Sequence, residues 1–219
     1  VRVVTWKSAP WLVVDLETTG IPAEDHHPVE IGLIRFQDGE ELSQLVYRVR
    51  PPIPIPEGAS AIHGIHDDDV ADCPTIEEIA PRIVETILEH DVIVGYNALS
   101  FDWPMLRDRC PGFYDACRGR VFIDPLVLVR MDDVGRYWRN ANRWNPERGR
   151  HTLENAAAAS GLEVDPEALH GVLEDCRLTA GILHRWMGRL PDDGREAQRA
   201  IVRAAREQDA ARREYRRTR

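Results

Sequence analysis

A continuous apolar run, Trp11-Leu12-Val13-Val14, ends in an acid, Asp15. A run of this kind, closed by a polar residue, is expected of a central strand of a sheet. Val29–Phe36 and Leu42–Val49 read as two further strands, joined by a turn at Gln37-Asp38-Gly39-Glu40. Strands so close in sequence pair antiparallel as a meander. The four prolines between Pro51 and Pro56 suit an extended connector outside the sheet. After it, Ile76, Ile79, Ile83, Ile87 and Leu88 recur at helical spacing behind Pro74-Thr75.

From there strand and helix alternate. Short strands are expected at Val92–Gly95 and Val121–Ile123, and helices at Phe101–Arg109, Leu126–Met131, Leu153–Ser160 and Glu174–Met187. A meander followed by such alternation implies a mixed sheet with helices on its faces, an α/β fold. Leu190-Pro191-Asp192-Asp193-Gly194 breaks the chain before a last helical segment. The expected organisation is therefore a domain over 1–190 and an Arg-rich helical tail over 191–219. That tail reads as a solvated helix held by i,i+4 ion pairs, with nucleic-acid or partner binding as the alternative.

No run is long enough to span a bilayer, and the N-terminal residues make a poor signal peptide, so no membrane partner is expected. Cys73, Cys110, Cys117 and Cys176 show no zinc-ligand spacing, which suits free thiols in a reducing cytoplasm. The net charge of −9 is unevenly spread, because Gly194–Arg219 holds nine arginines against four acids. Local charge is thus the better guide to a polyanionic partner than the total.

Three short motifs carry the chemistry. Asp15 and Glu17 lie two apart in Val13-Val14-Asp15-Leu16-Glu17-Thr18-Thr19-Gly20, so a strand points both to one face. Two such acids repel unless a cation sits between them. Asp102 ends Gly95-Tyr96-Asn97-Ala98-Leu99-Ser100-Phe101-Asp102 at a strand-to-helix junction. Alone it reads equally as a helix N-cap, and Asn97 as a turn residue or an orienting amide. His170 precedes Asp175 by five residues at the start of a helix. Taken singly each has a plain structural reading; taken together they supply hard oxygen ligands for two Mg²⁺ or Mn²⁺ ions and one base for a water. That set suits cleavage of a phosphodiester bond.

The order Asp-x-Glu, Asn-x-x-x-Phe-Asp, His-x-x-x-x-Asp resembles the DEDDh branch of the DnaQ-like 3′→5′ exonucleases, which includes the epsilon proofreading subunits. Ser60-Ala61-Ile62-His63-Gly64-Ile65, Ile123-Asp124 and His151-Thr152-Leu153 resemble further blocks of that family. Three residues separate Asn97 from Phe101, where most epsilon-like chains have two. With Trp103-Pro104 this segment is similar to the exonuclease segment of family-B DNA polymerases, while His170 keeps the chain in the histidine branch.

The resemblance implies a ribonuclease-H-like fold with a five-stranded mixed sheet flanked by helices. It implies that Asp15, Glu17 and Asp175 bind one metal ion, that Asp15 bridges to a second supported by Asp102, and that His170 is the general base. It also implies that Thr18 and Thr19 receive the terminal nucleotide, that Leu16 and Phe101 flank its base, and that His63 and Asn97 lie in the substrate site. The expected partner is single-stranded DNA or a frayed 3′ end, with a DNA polymerase as a second candidate. An exoribonuclease and a non-catalytic binding module are the rival readings. Arg139 and Arg143, within an Arg136–Arg150 segment of five arginines interleaved with Tyr137, Trp138 and Trp144, are expected to guide the strand. No feature predicts an oligomeric state.

Overall fold

The computed structural model describes residues 5–131, 151–165 and 170–217. Its sheet has five strands in the order β3-β2-β1-β4-β5. These are β1 (Trp11–Thr18), β2 (Pro28–Gln37), β3 (Glu40–Arg48), β4 (Val92–Val94) and β5 (Val121–Ile123). β1 pairs antiparallel with β2 and β2 with β3, whereas β4 and β5 run parallel to β1. The expected mixed sheet is therefore present, with the apolar run at its centre.

Because side chains alternate along a strand, β1 divides its residues between two cores. Leu12, Val14 and Leu16 join Ile31, Leu33 and the buried face of α3 (Ile76–Leu88). Met105 and Leu106 of α4 (Asp102–Arg109) and Phe113 of α5 (Phe113–Ala116) complete that side. Trp11 and Val13 face the opposite side, with Cys176, Ala180 and Leu183 of α8 (Val172–Trp186). Asp15 and Glu17 continue this second face, so the alternation that buries Val13 also aims both carboxylates toward α8.

The remaining helices frame the sheet's carboxyl edge. α1 (Glu57–His63) ends at Gly64, whose left-handed φ of 72° suits a glycine C-cap. α2 (Asp67–Val70) starts at His66, whose backbone N–H donates to Asp69, so the acidic cluster there is a helix start. Residues 125–131 form α6, and α7 (Leu153–Ala159) begins at Thr152, whose hydroxyl accepts the Asn155 N–H.

The helical tail forms as α9 (Gly194–Arg217), but its expected solvation needs correction. Ala197, Ile201 and Ala204 are buried in the core with Val94 and Ile123. Gln208 is also buried and donates to the Val127 carbonyl at 3.1 Å. These residues recur at i, i+4, i+7 and i+11, an amphipathic stripe. Its apolar members are mostly alanines, which is why the sequence did not declare it. All four cysteines are free thiols. Among the described residues no helix is long and apolar enough to cross a membrane.

Candidate metal centre and active site

One close approach assembles the site. Asp15 stands opposite Gly32 in the β1–β2 pairing. A Cβ on Gly32 would lie 2.6 Å from the Val172 Cβ and 2.9 Å from its carbonyl oxygen. The missing side chain lets the first turn of α8 rest on the sheet, which delivers Asp175 to the strand acids. Carboxylate oxygens of Asp15, Glu17 and Asp175 all lie within 4.8 Å of one another. Gly32 is a site-building residue that the motifs did not reveal; only its place midway along an apolar strand signals it. Gly32→Ala should destabilise the protein by about 1–3 kcal/mol through overpacking and weaken Mn²⁺ binding. Thermal denaturation with and without Mn²⁺ checks both effects.

Asp102 stands outside that group but close enough for its charge to act on Asp15 and Glu17. It opens α4 and is 4 % exposed. The loop before it is held by Asp124, whose Oδ1 accepts the N–H groups of Asn97 (3.0 Å) and Leu126 (3.0 Å) and whose Oδ2 accepts that of Leu99 (3.2 Å). Ile123-Asp124 was legible only as a motif; the structure makes Asp124 the organiser of the β4–α4 loop. Asp124→Asn would set an amide donor against an N–H. A loss of about 2 kcal/mol is expected, with reduced turnover because Asp102 moves. Denaturant melts and steady-state rates on the same preparation read both.

The electrostatics are those of unpartnered acids. Burial, then the charges of Asp102, Asp175 and Glu17, raise the Asp15 carboxyl well above the usual range. Burial and neighbouring acids push Glu17 to about 8. Burial is the main cause that takes Asp102 to about 7, and also Asp175 to about 6, the latter despite the neighbouring His170. Among the described residues no salt bridge reaches any of the four. Asp175 Oδ1 is buried without a hydrogen-bond partner. A cluster of mutually repelling oxygens with one left unpartnered fits a hard divalent cation.

The sign of the resulting pH effect is fixed. Raised carboxyl pKa values mean that the folded state binds more protons than the unfolded one, so metal-free stability is complete below about pH 4 and falls as pH rises through about 6 to 8. Mn²⁺ should therefore raise the Tm more at pH 8.5 than at pH 5.5. Thermal shifts at the two pH values, with and without Mn²⁺, check this; equal shifts would contradict it.

The other sequence-derived residues fall around this centre. His170 is exposed, lies beside Asp175, and has a left-handed φ of 64°. Asn97 is exposed with φ 58°, so it is the turn residue of its loop. Leu16 is buried in the first core, and Phe101 packs half-buried against the same cluster. His63 Nδ1 accepts the Ile65 N–H at 3.1 Å, so its other nitrogen, Nε2, donates to the Thr18 carbonyl at 3.3 Å. The Thr19 N–H donates to the His27 carbonyl at 2.8 Å, and its hydroxyl meets His26 Nδ1 at 3.0 Å. These polar groups of Thr18 and Thr19 are thus engaged within the protein, and a nucleotide contact there would be additional. Arg139, Arg143 and the rest of Arg136–Arg150 lie outside the described residues.

The strand order and the flanking helices define a ribonuclease-H-like fold, with a carboxylate group that could hold a metal ion at the end of its central strand. The RNase_T family model, described as exonuclease, matches residues 12–183. The chain belongs to this family, within the DnaQ-like exonucleases.

The uncharacterized exonuclease CP81 of Escherichia phage 186 is 31% identical over 183 residues, covering 83% of this chain and 90% of its own. The PolC-type DNA polymerase III of Thermotoga petrophila is 27% identical over 183 residues, and the match spans 84% of this chain but 12% of the polymerase. Among solved structures, exonuclease X in complex with 5′-overhanging duplex DNA superposes with a TM-score of 0.63 at 24% identity, covering 87% of this chain and 99% of that one.

Proposed function

We propose that this chain is a metal-dependent 3′→5′ exonuclease that prefers DNA and releases nucleoside 5′-monophosphates. The observation that carries the proposal is the Asp15, Glu17 and Asp175 carboxylate group, with Asp102 electrostatically coupled to it. The DNA preference is supported by the relatives, since exonuclease X is solved on DNA and PolC-type proteins are polymerases. The polarity is supported by the motif order shared with the epsilon-like exonucleases.

In this reading Asp15, Glu17 and Asp175 would hold one Mg²⁺ or Mn²⁺ ion, and Asp102 with Asp15 would support a second. Bound divalent ions supply Lewis acidity toward the attacking water and the leaving oxygen. His170, exposed beside Asp175, accepts the water's proton on its imidazole as the new P–O bond forms. The P–O3′ bond breaks, the leaving O3′ takes a proton from solvent water, and the shortened strand keeps a 3′-hydroxyl. His63 acts through Thr18, fixing the strand end beside the acids. The substrate is a single strand or a frayed end, with a DNA polymerase as a candidate partner. The free thiols fit a cytoplasmic location.

Matched DNA and RNA oligonucleotides, labelled at the 5′ end and incubated with Mn²⁺ or EDTA, test this. A ladder shortening from the 3′ end, faster for DNA and abolished by EDTA, is expected. Faster loss of RNA would move the substrate to the exoribonuclease reading, and immediate release of the 5′ label would overturn the polarity.

A further inference from the structure

α9 is two-sided, and only one side has been accounted for. Ala197, Ile201, Ala204 and Gln208 are buried, as described above. At about 100° per residue, Arg195, Arg199, Arg203 and Arg206 fall within roughly 80° of arc on the opposite side. All four are exposed, and with Gln198, Val202 and Glu207 they line an open groove of about 520 Å³.

Ordinary surface arginines on a helix find acids at i±3 or i±4. These do not. Among the described residues none of the four makes a salt bridge, although each has an acid three or four positions away: Asp192 for Arg195, Glu196 for Arg199, Glu207 for Arg203 and Asp209 for Arg206. The stretch Gly194–Ala210 that holds the row carries +1, and the residues after it add +4, within a chain of net charge −9. The row ends where Asp209 enters the same side.

Its position connects it to the active edge. A Cβ on Gly194 would meet Val121, at the start of β5, at 2.8 Å. Gln208 bonds the Val127 carbonyl, just beyond the end of β5. α9 therefore runs along β5 in the same direction, toward the sheet edge where Asp124 holds the Asp102 loop. At 1.5 Å per residue the row spans about 16 Å, long enough to face several phosphates of one strand.

We propose that the Arg195–Arg199–Arg203–Arg206 row binds the phosphate backbone of nucleic acid outside the cleavage site. This deepens the exonuclease reading and rests on it for the identity of the polyanion. The contacts are Coulombic and independent of sequence. They anchor the body of the strand while its end is cut, so long substrates gain from them and a single nucleotide does not.

The test compares wild type with R195Q/R199Q/R203Q/R206Q and with the corresponding quadruple Lys variant. Anisotropy of a fluorescent 20-nucleotide strand is read from 50 to 200 mM salt, beside hydrolysis of that strand and of the p-nitrophenyl ester of thymidine 5′-monophosphate. The Gln variant should bind about tenfold more weakly at low salt and lose about three from its log–log salt slope, at 0.7 per phosphate contact on a single strand. Its rate on the ester and its Tm should equal those of wild type, and the Lys variant should keep the slope.

Equal binding and an equal slope for the Gln variant would overturn the proposal, leaving the row to an acidic protein partner. Row-dependent binding by a wild type that cuts neither substrate would uphold the row and overturn the exonuclease reading instead.

Discussion

Asp15→Asn should reduce turnover by about 10³-fold or more and, in the same preparation, raise the Tm of the metal-free protein. The first effect follows from position. Groups that merely orient a metal ligand are worth about 10–100-fold, and loss of one oxyanion donor about 10²–10³-fold. A direct metal ligand, the role proposed for Asp15, should exceed both. The second effect follows from electrostatics. Burial and the charges of Asp102, Asp175 and Glu17 all oppose ionisation of Asp15. A neutral amide of the same shape relieves its acidic neighbours as well. Each kcal/mol so relieved is worth about 2–4 °C in a protein of this size. Opposite signs for activity and stability distinguish a functional strain from a structural role, because a structural aspartate would lose both.

His170→Gln should lower kcat by about 10²–10⁴-fold, the range for a positioned general base, while leaving the Mn²⁺-dependent rise in Tm intact. His170 is exposed and left-handed in φ, and it belongs to none of the buried clusters. Glutamine keeps polarity and similar reach but cannot take a proton near neutrality. The pairing with Asp15→Asn is informative, since one variant removes metal binding and turnover together and the other removes turnover alone. A His170→Gln protein that no longer responds to Mn²⁺ would make the histidine a ligand or a fold element rather than a base.

Much of this was legible in the chain because period and polarity coincide. The apolar run before Asp15, the meander and the isoleucine spacing of α3 each have a single reasonable partner geometry, and each formed where expected. The separation of Asp15 and Glu17 by one residue required a shared face whatever the rest of the fold did. Other features depended on contacts remote in sequence. Gly32 lies 140 residues from Val172, and no local pattern announces that a helix will rest on it. Two of the three amides gathered by Asp124, those of Asn97 and Leu99, lie 27 and 25 residues before it. α9 was misjudged for a different reason: alanine buries little area per residue, so a stripe of alanines with one isoleucine reads as solvent-facing until a partner surface is present.

The clustered carboxylates of Asp15, Glu17 and Asp175 are proposed to form the divalent-cation site that performs the cleavage. Calorimetric titration of Mn²⁺ into the protein at pH 8, repeated with Asp15→Asn, tests it most directly. Saturable binding with proton release is expected, because burial and neighbouring acids push Glu17 to about 8 in the metal-free protein, and the binding should be lost in the variant. Heat indistinguishable from dilution for the wild-type protein, or undiminished binding by Asp15→Asn, would contradict it.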